Sequence, residues 1–349
     1  MRENVGLIDA TPLAKHVLNG PGATAFLDWF TCNRLPQVGR VGLTLALTEA
    51  GTVRGEYAVA RTGEHAYYLV SPGASAFSDQ DVLMKAVQDK LAAFGPMYLA
   101  DVTTQHGVLA VAGPSARDLL ATLIRDPDRA NALGNARFPW LGVRNIELGM
   151  CPTGALRLSA AGELGWELHH PIEMQNYLFD LLMAAGEPLG LRLVGARAQD
   201  WLRLEKSRRA MGAELGRDVT PIEAGLDRLV DVSRDFHGKA AMEATGLRAL
   251  CVTLLVEGPD DAAADAAHAF PPDPEGGEAI WRDGATVGRV TSGGWSVAFA
   301  RPIAMGYVRP DLADPGTHLE IRLQGRLWPA VVVGDSPVDP ENDRQRADG

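Results

Sequence analysis

The feature that most constrains this chain is an internal repeat. Asn19-Gly20-Pro21-Gly22-Ala23 and Ala112-Gly113-Pro114-Ser115-Ala116 each follow an apolar, strand-like run and each open a helix. Proline at the first helical position suits both copies, because a helix start leaves that N–H unpaired anyway. The residues that follow place Ala23, Phe26, Leu27 and Phe30 in one copy, and Ala116, Leu119, Leu120 and Leu123 in the other, at i, i+3, i+4 and i+7. Each helix therefore carries one apolar face, and two related α+β units are expected. Gly20-Pro21-Gly22-Ala23-Thr24-Ala25 also mimics a dinucleotide fingerprint. The second copy has Ser115 where the middle glycine would stand, so the shared demand is a helix start, and no nucleotide site is expected.

Farther along, residues 172–184 have a helical pattern, and 189–195 lead into a second helix with Arg197, Trp201 and Leu204 on neighbouring turns. Beyond Gly246 the pattern changes to short alternating runs at 250–256, 279–282, 286–291, 303–308, 319–323 and 328–333. These predict a small β-barrel. Residues 259–277 are expected to form an exposed loop and 339–349 a polar tail. The division is thus a region of two α+β units over 1–245 and a barrel domain over 246–349.

With 349 residues, 46% of them hydrophobic, the chain can bury two or three cores. A formal net charge of −11 opposes nucleic-acid binding. The Lys206-Ser207-Arg208-Arg209 cluster is expected as a solvated face, with contact to an anionic ligand tail as the alternative. No run of about 20 apolar residues suggests a membrane span, and the first residues lack a signal-peptide core, so a cytoplasmic location is expected. Cys32, Cys151 and Cys251 are widely spaced and form no CxxC pair, which predicts buried free thiols and no metal site.

The sequence lacks a GxSxG elbow, a P-loop, an HExxH pair and a glycine-rich flavin fingerprint. His169-His170 are adjacent strand residues facing opposite ways, unsuited to joint ligation, and are expected to be structural. The informative stretch is Gly162-Glu163-Leu164-Gly165-Trp166-Glu167-Leu168-His169, a turn and strand in which carboxylates flank an aromatic plate. A carboxylate here is able to accept two hydrogen bonds from an N–H and a neighbouring amino group, the edge a pterin presents. Strand alternation lets only one of Trp166 and Glu167 line a pocket. On the residues alone, a surface turn with solvated carboxylates is the competing reading.

Phe138-Pro139-Trp140-Leu141, the Gly162–His169 stretch, Leu202-Arg203-Leu204-Glu205-Lys206, Thr220-Pro221-Ile222-Glu223-Ala224-Gly225-Leu226 and Thr291-Ser292-Gly293-Gly294 occur in the order of a known signature series. With Val5-Gly6-Leu7-Ile8-Asp9 and Asp339-Pro340-Glu341-Asn342, they cover almost the whole chain. The chain resembles the aminomethyltransferase superfamily, in particular the tetrahydrofolate-binding C-terminal half of dimethylglycine and sarcosine dehydrogenases. The resemblance implies an α+β fold: two related α/β-sheet units and a C-terminal β-barrel in a three-lobed disc around a central folate funnel. It implies tetrahydrofolate as cofactor, with Glu167 at the pterin-holding carboxylate position and Trp166 beside it.

The catalytic aspartate position of the family is occupied by Glu56, one methylene longer. A shift of about 1 Å in the reacting oxygen is enough to weaken catalysis about 100-fold unless the pocket compensates. Tyr68 matches an aromatic position near folate, with hairpin packing as the alternative. Arg197 matches an arginine of the dehydrogenase branch, and Gln199 aligns with a folate-contacting arginine of the T-protein. The family usually has tyrosine where this chain has Ala160. It has Gly-Tyr-Arg followed by tryptophan where this chain has Ser207-Arg208-Arg209 followed by Met211.

The resemblance implies capture, as 5,10-methylenetetrahydrofolate, of the carbon released by oxidation of an N-methyl amine such as dimethylglycine or sarcosine. The carbon would arrive as an iminium or formaldehyde from a flavoprotein amine dehydrogenase or oxidase subunit. The alternatives are a tetrahydrofolate-dependent demethylase of a small methylated compound and a non-catalytic folate-binding or assembly subunit.

Overall fold

The computed structural model describes residues 1–258 and 271–348. After β1 (Gly6–Asp9), the chain runs through β2 (Ala14–Asn19), α1 (Ala23–Phe30), β3 (Arg40–Leu47), β4 (Val53–Gly63), β5 (Ala66–Ser71), α2 (Ala76–Phe94) and β6 (Tyr98–Asp101). The same order then recurs as β7 (His106–Ala112), α3 (Ala116–Leu123), β8 (Val143–Leu148), β9 (Cys151–Leu156), β10 (Gly165–Pro171), α4 (Gln175–Gly186) and β11 (Arg192–Leu193). The first sheet is ordered β3-β4-β5-β2-β6 and the second β8-β9-β10-β7-β1-β11, so the two match except that β1 is inserted into the second.

Both repeat helices bury the expected face: Ala23, Phe26, Leu27 and Phe30 in α1, and Ala116, Leu119 and Leu120 in α3, with Leu123 half-buried. Gly20 and Gly113 hold φ angles of 125° and 133°. A Cβ at Gly20 would lie 2.7 Å from the Pro96 carbonyl oxygen, and one at Gly113 would lie 2.2 Å from that of Asn4. The glycines of the repeat thus admit the chain's own backbone, which explains the nucleotide-like spelling without a nucleotide.

Helices cover one face of each sheet. Tyr57, Val59, Tyr67 and Leu69 pack beneath α1 and α2, whereas Leu109, Val111, Trp166 and Leu168 pack beneath α3 and α4. The opposite faces meet through a small cluster containing Val41, Ala60 and Leu156, edged by Ala58 and Tyr68. The Val41 N–H also donates to the Leu141 carbonyl at 2.9 Å.

After α5 (Ala196–Glu205) and α6 (Lys239–Ala244), six strands close a barrel ordered β12-β15-β14-β13-β16-β17: β12 (Leu250–Val256), β13 (Ala279–Arg282), β14 (Ala285–Ser296), β15 (Arg301–Val308), β16 (His318–Leu323) and β17 (Arg326–Val333). All six correspond to runs expected from sequence. The expected loop lies outside the described residues over 259–270, and 271–277 is irregular.

The polar tail is a correction. Residues 334–348 return to the second unit, and α7 (Asp343–Arg346) buries Gln345 to 3% exposure. The cause is a set of interior cations that need acceptors. Fully buried Arg157 donates to the Phe138 carbonyl at 2.6 Å and the Ala347 carbonyl at 2.9 Å, and Arg117 reaches the same Ala347 oxygen at 2.8 Å. Burial, and then the neighbouring Arg117, pull the Arg157 pKa down to about 10. Removing residues 340–349 should therefore destabilise the protein well beyond a tail deletion, by about 1 to 3 kcal/mol per guanidinium left short of acceptors. Urea denaturation of the truncated chain measures this, and an unchanged midpoint would contradict it.

Candidate functional site

On β4, residues of one parity, including Tyr57 and Val59, enter the helix-covered core. Glu56, Ala58 and Ala60 take the other face. Pairing of β3 with β4 shifts at Ala46/Leu47, so Arg54 is an extra residue two positions before Glu56, a bulge of the kind that re-aims a neighbouring side chain. Leu45, opposite Glu56, belongs to a cluster with Leu215, Ala224 and Leu226, which places the chain after α5 over this part of the face.

Glu56 is ringed by protein yet only half-buried, as expected of a side chain at the floor of a cleft. Burial pushes its pKa up from 4.5 to about 7, against the opposing pull of Arg208 and then Arg203. The folded state consequently binds more protons than the unfolded chain between about pH 4.5 and 7, and Glu56 costs stability as pH rises through that window. Glu56→Gln should melt above the parent at pH 8, by about 1 to 3 kcal/mol, and lose that advantage by pH 4. A variant no more stable than the parent at pH 8 would contradict the strained carboxylate.

The second wall comes from β10. Trp166 and Leu168 point into the core, while Glu167 and His169 point to the other face. Trp166 is fully buried, with the guanidiniums of Arg157 and Arg117 at 5.5 and 5.8 Å from its ring. Of the pair flagged in sequence, Glu167 is thus the cleft residue and Trp166 a core anchor that reaches no cleft surface here.

His169 was expected to be structural, but it joins the two walls. Its Nε2 lies 3.3 Å from Glu167 Oε2, and its Nδ1 lies 3.1 Å from the Tyr68 hydroxyl on β5. A proton on Nε2 satisfies both contacts: that N–H donates to the carboxylate while Nδ1 accepts from the tyrosine. Burial, then the nearby Glu167 charge, hold the Tyr68 hydroxyl well above the usual range, so it stays a donor. The link fixes one oxygen of Glu167 and leaves the carboxylate further acceptor capacity. The sequence signal was strand parity, since His169 is two residues after Glu167. His170 turns the other way, to Leu168 O and Gln175 Oε1.

The third contribution follows α5. The Lys206–Arg209 run is not a solvated face: Lys206, Ser207 and Arg209 are buried, and only Arg208 keeps partial exposure. Lys206 donates to the Asp339 carbonyl at 2.5 Å, and Arg209 to Asp335 at 2.5 Å. Ser207 adopts a φ of 49°, where the family pattern has glycine. Arg208 is within electrostatic reach of both Glu56 and Glu167, while burial disfavours its charge.

Arg197 and Gln199 lie in the first turn of α5, Arg197 exposed and 5.5 Å over the Trp201 ring. Among the described residues neither bonds to the Glu56, Tyr68, Glu167 and His169 group. The described residues contain no group of three or more potential metal ligands and no helix long and apolar enough to cross a membrane.

The arrangement offers one carboxylate poised to exchange a proton near neutrality and another positioned as a fixed acceptor. The pattern of the GCVT N-terminal domain matches residues 1–234, and that of the glycine cleavage T-protein C-terminal barrel domain matches 266–339. The mitochondrial dimethylglycine dehydrogenase of Rattus norvegicus is 32% identical across 99% of this chain, which spans 39% of that protein's length. The aminomethyltransferase of Cutibacterium acnes is 30% identical over 95% of this chain and 87% of its own length. The crystal structure of the glycine cleavage system aminomethyltransferase T from Bartonella henselae superposes with a TM-score of 0.82 at 24% identity, covering 97% of this chain and 88% of that one, a likeness of fold.

Proposed function

This chain belongs to the glycine cleavage T-protein family, and on that premise we propose that it transfers one-carbon units to tetrahydrofolate. The carbon is that released when an N-methyl amine of the dimethylglycine or sarcosine kind is oxidised, and the product is 5,10-methylenetetrahydrofolate. The observation that carries this reading is the pair of unlike carboxylates on facing sheets, Glu56 with its pKa near 7 and Glu167 tied to His169.

The residues fit a reduced folate. Glu167, half-buried and held by His169, has the free acceptor capacity that a pterin N–H edge requires, and the Tyr68 hydroxyl fixes the histidine. Arg197 and Gln199, in the first turn of α5, are assigned to the outer part of the ligand. Trp166 supports Glu167 from the core. When bound, tetrahydrofolate supplies the nucleophilic nitrogens that accept the carbon. Glu56, ionised, stabilises a cationic iminium in the cleft and takes up the proton released as the new bond forms. Its raised pKa lets the same oxygen return that proton, near neutral pH, to the group that departs as the carbon is transferred, the demethylated amine from an iminium or water from formaldehyde.

The chain's sequence carries no flavin fingerprint, so the oxidation is assigned to a flavoprotein amine dehydrogenase or oxidase, whether a separate subunit or a fused region. Holding the two together keeps an iminium or formaldehyde from escaping to water. The test is purification from the native host followed by turnover with an N-methyl amine and tetrahydrofolate. Co-elution of a flavoprotein and formation of 5,10-methylenetetrahydrofolate are expected. Formation of 5-methyltetrahydrofolate without a flavoprotein would replace this reading with direct demethylation, and partner stabilisation without turnover would replace it with an assembly role.

A further inference from the structure

Among the described residues, Arg208 is a charged side chain near Glu56 and Glu167 that the proposed transfer does not employ. Its backbone is locked in place. The Arg208 N–H donates to the Arg203 carbonyl at 3.0 Å, and its own carbonyl accepts from Arg203 Nη1 at 2.9 Å. The preceding Ser207 shares a hydrogen bond with Thr253 Oγ1 at 2.7 Å and accepts the Ser336 N–H at 2.9 Å. Neighbouring cations are engaged: Arg203 pairs with Glu214 at 3.0 Å and also with Asp200, and Arg209 pairs with Asp335. Arg208 makes no ion pair among the described residues, and its guanidinium has one side-chain partner, Gln345 Oε1, at 3.0 Å. Most of its five N–H donors remain for a ligand.

We propose that Arg208 anchors the carboxylate of the amine substrate, so that the cleft selects N-methylated amino acids, or their iminium forms, over N-methyl amines without an acid group. The proposal rests on the one-carbon reading of this cleft and names the substrate class it takes. A guanidinium within electrostatic reach of two carboxylates complements a zwitterion: the acid group meets Arg208 bidentately and the cationic nitrogen faces Glu56. Gln345, delivered by the C-terminal segment, is a neutral acceptor that restricts the arginine's position without forming an ion pair with it. The glutamyl carboxylates of folate are the other available anion, but they lie at the far end of that molecule from the pterin edge assigned to Glu167. Arg208 is at the Glu56 and Glu167 end.

The test titrates the whole chain with N-methylglycine and with N-methylethanolamine, which exchanges the carboxylate for a hydroxymethyl group, with and without tetrahydrofolate. Wild type should prefer N-methylglycine by about 10-fold to 150-fold, the range for hydrogen bonds to a charged group. Arg208→Gln should abolish that preference, and Arg208→Lys should keep part of it, with thermal melts showing that each variant folds. Equal or undetectable binding of both amines by wild type, or a preference that survives Arg208→Gln, overturns the proposal. A variant that loses tetrahydrofolate affinity while keeping the amine preference overturns it too, by placing the folate tail on Arg208. If wild type fails to bind tetrahydrofolate yet shows an amine preference that depends on Arg208, the anchor stands and the folate reading falls.

Discussion

Glu167→Ala should weaken tetrahydrofolate binding by about 10-fold to 150-fold without unfolding the protein. Charge-assisted hydrogen bonds of the kind proposed between this carboxylate and a pterin edge contribute about 1.5 to 3 kcal/mol. Structural damage should be small, because the Glu167 side chain keeps some solvent contact and its one side-chain hydrogen bond among the described residues is to His169 at 3.3 Å. His169→Ala provides the graded comparison: it leaves the carboxylate but frees its orientation, so its loss should be smaller. Calorimetric titration of the two variants measures this order, and wild-type-like affinity in a folded Glu167→Ala protein removes Glu167 from the site.

The second large effect is on the chemical step. Glu56→Gln keeps the side chain's length and its place beside the bulge but abolishes proton transfer, so tetrahydrofolate should still bind while turnover falls by about 100-fold to 10,000-fold. The rate of the parent should rise with pH through about 7 as Glu56 ionises, and the residual activity of Glu56→Gln should lose that inflection. Glu56→Asp separates two views of the longer side chain. If the cleft has adapted to glutamate, aspartate moves the reacting oxygen back by about 1 Å and lowers the rate. A rate unchanged in both variants, with chemistry limiting, leaves Glu56 without a role.

The sequence announced those features that depend on periodicity. The i, i+3, i+4, i+7 faces of α1 and α3, the six alternating runs of the barrel and the opposed faces of Trp166 and Glu167 all follow from helix and strand geometry. Features that depend on long-range pairing were hidden. The insertion of β1 between β7 and β11 leaves no local mark, because its partners lie about a hundred and nearly two hundred residues away. The Lys206–Arg209 run reads in sequence as a solvated face for the same reason: the acceptors for Lys206, Arg208 and Arg209 come from residues 335–345, more than 120 positions later. The motif that pointed to Glu167 also contained His169, but its bridging role needed Tyr68, 101 residues earlier, to be seen beside it. Glu56 was legible only as a motif position. Its raised pKa arises from enclosure in the cleft, which no neighbour in sequence specifies.

The most direct test is a calorimetric titration of the folded wild-type chain with tetrahydrofolate, run beside Glu167→Ala. Saturable binding at a single site per chain, weakened at least about 10-fold in the variant, is the predicted result. Absence of saturable binding by the folded wild type, or equal binding by the two proteins, would contradict a folate site built on Glu167.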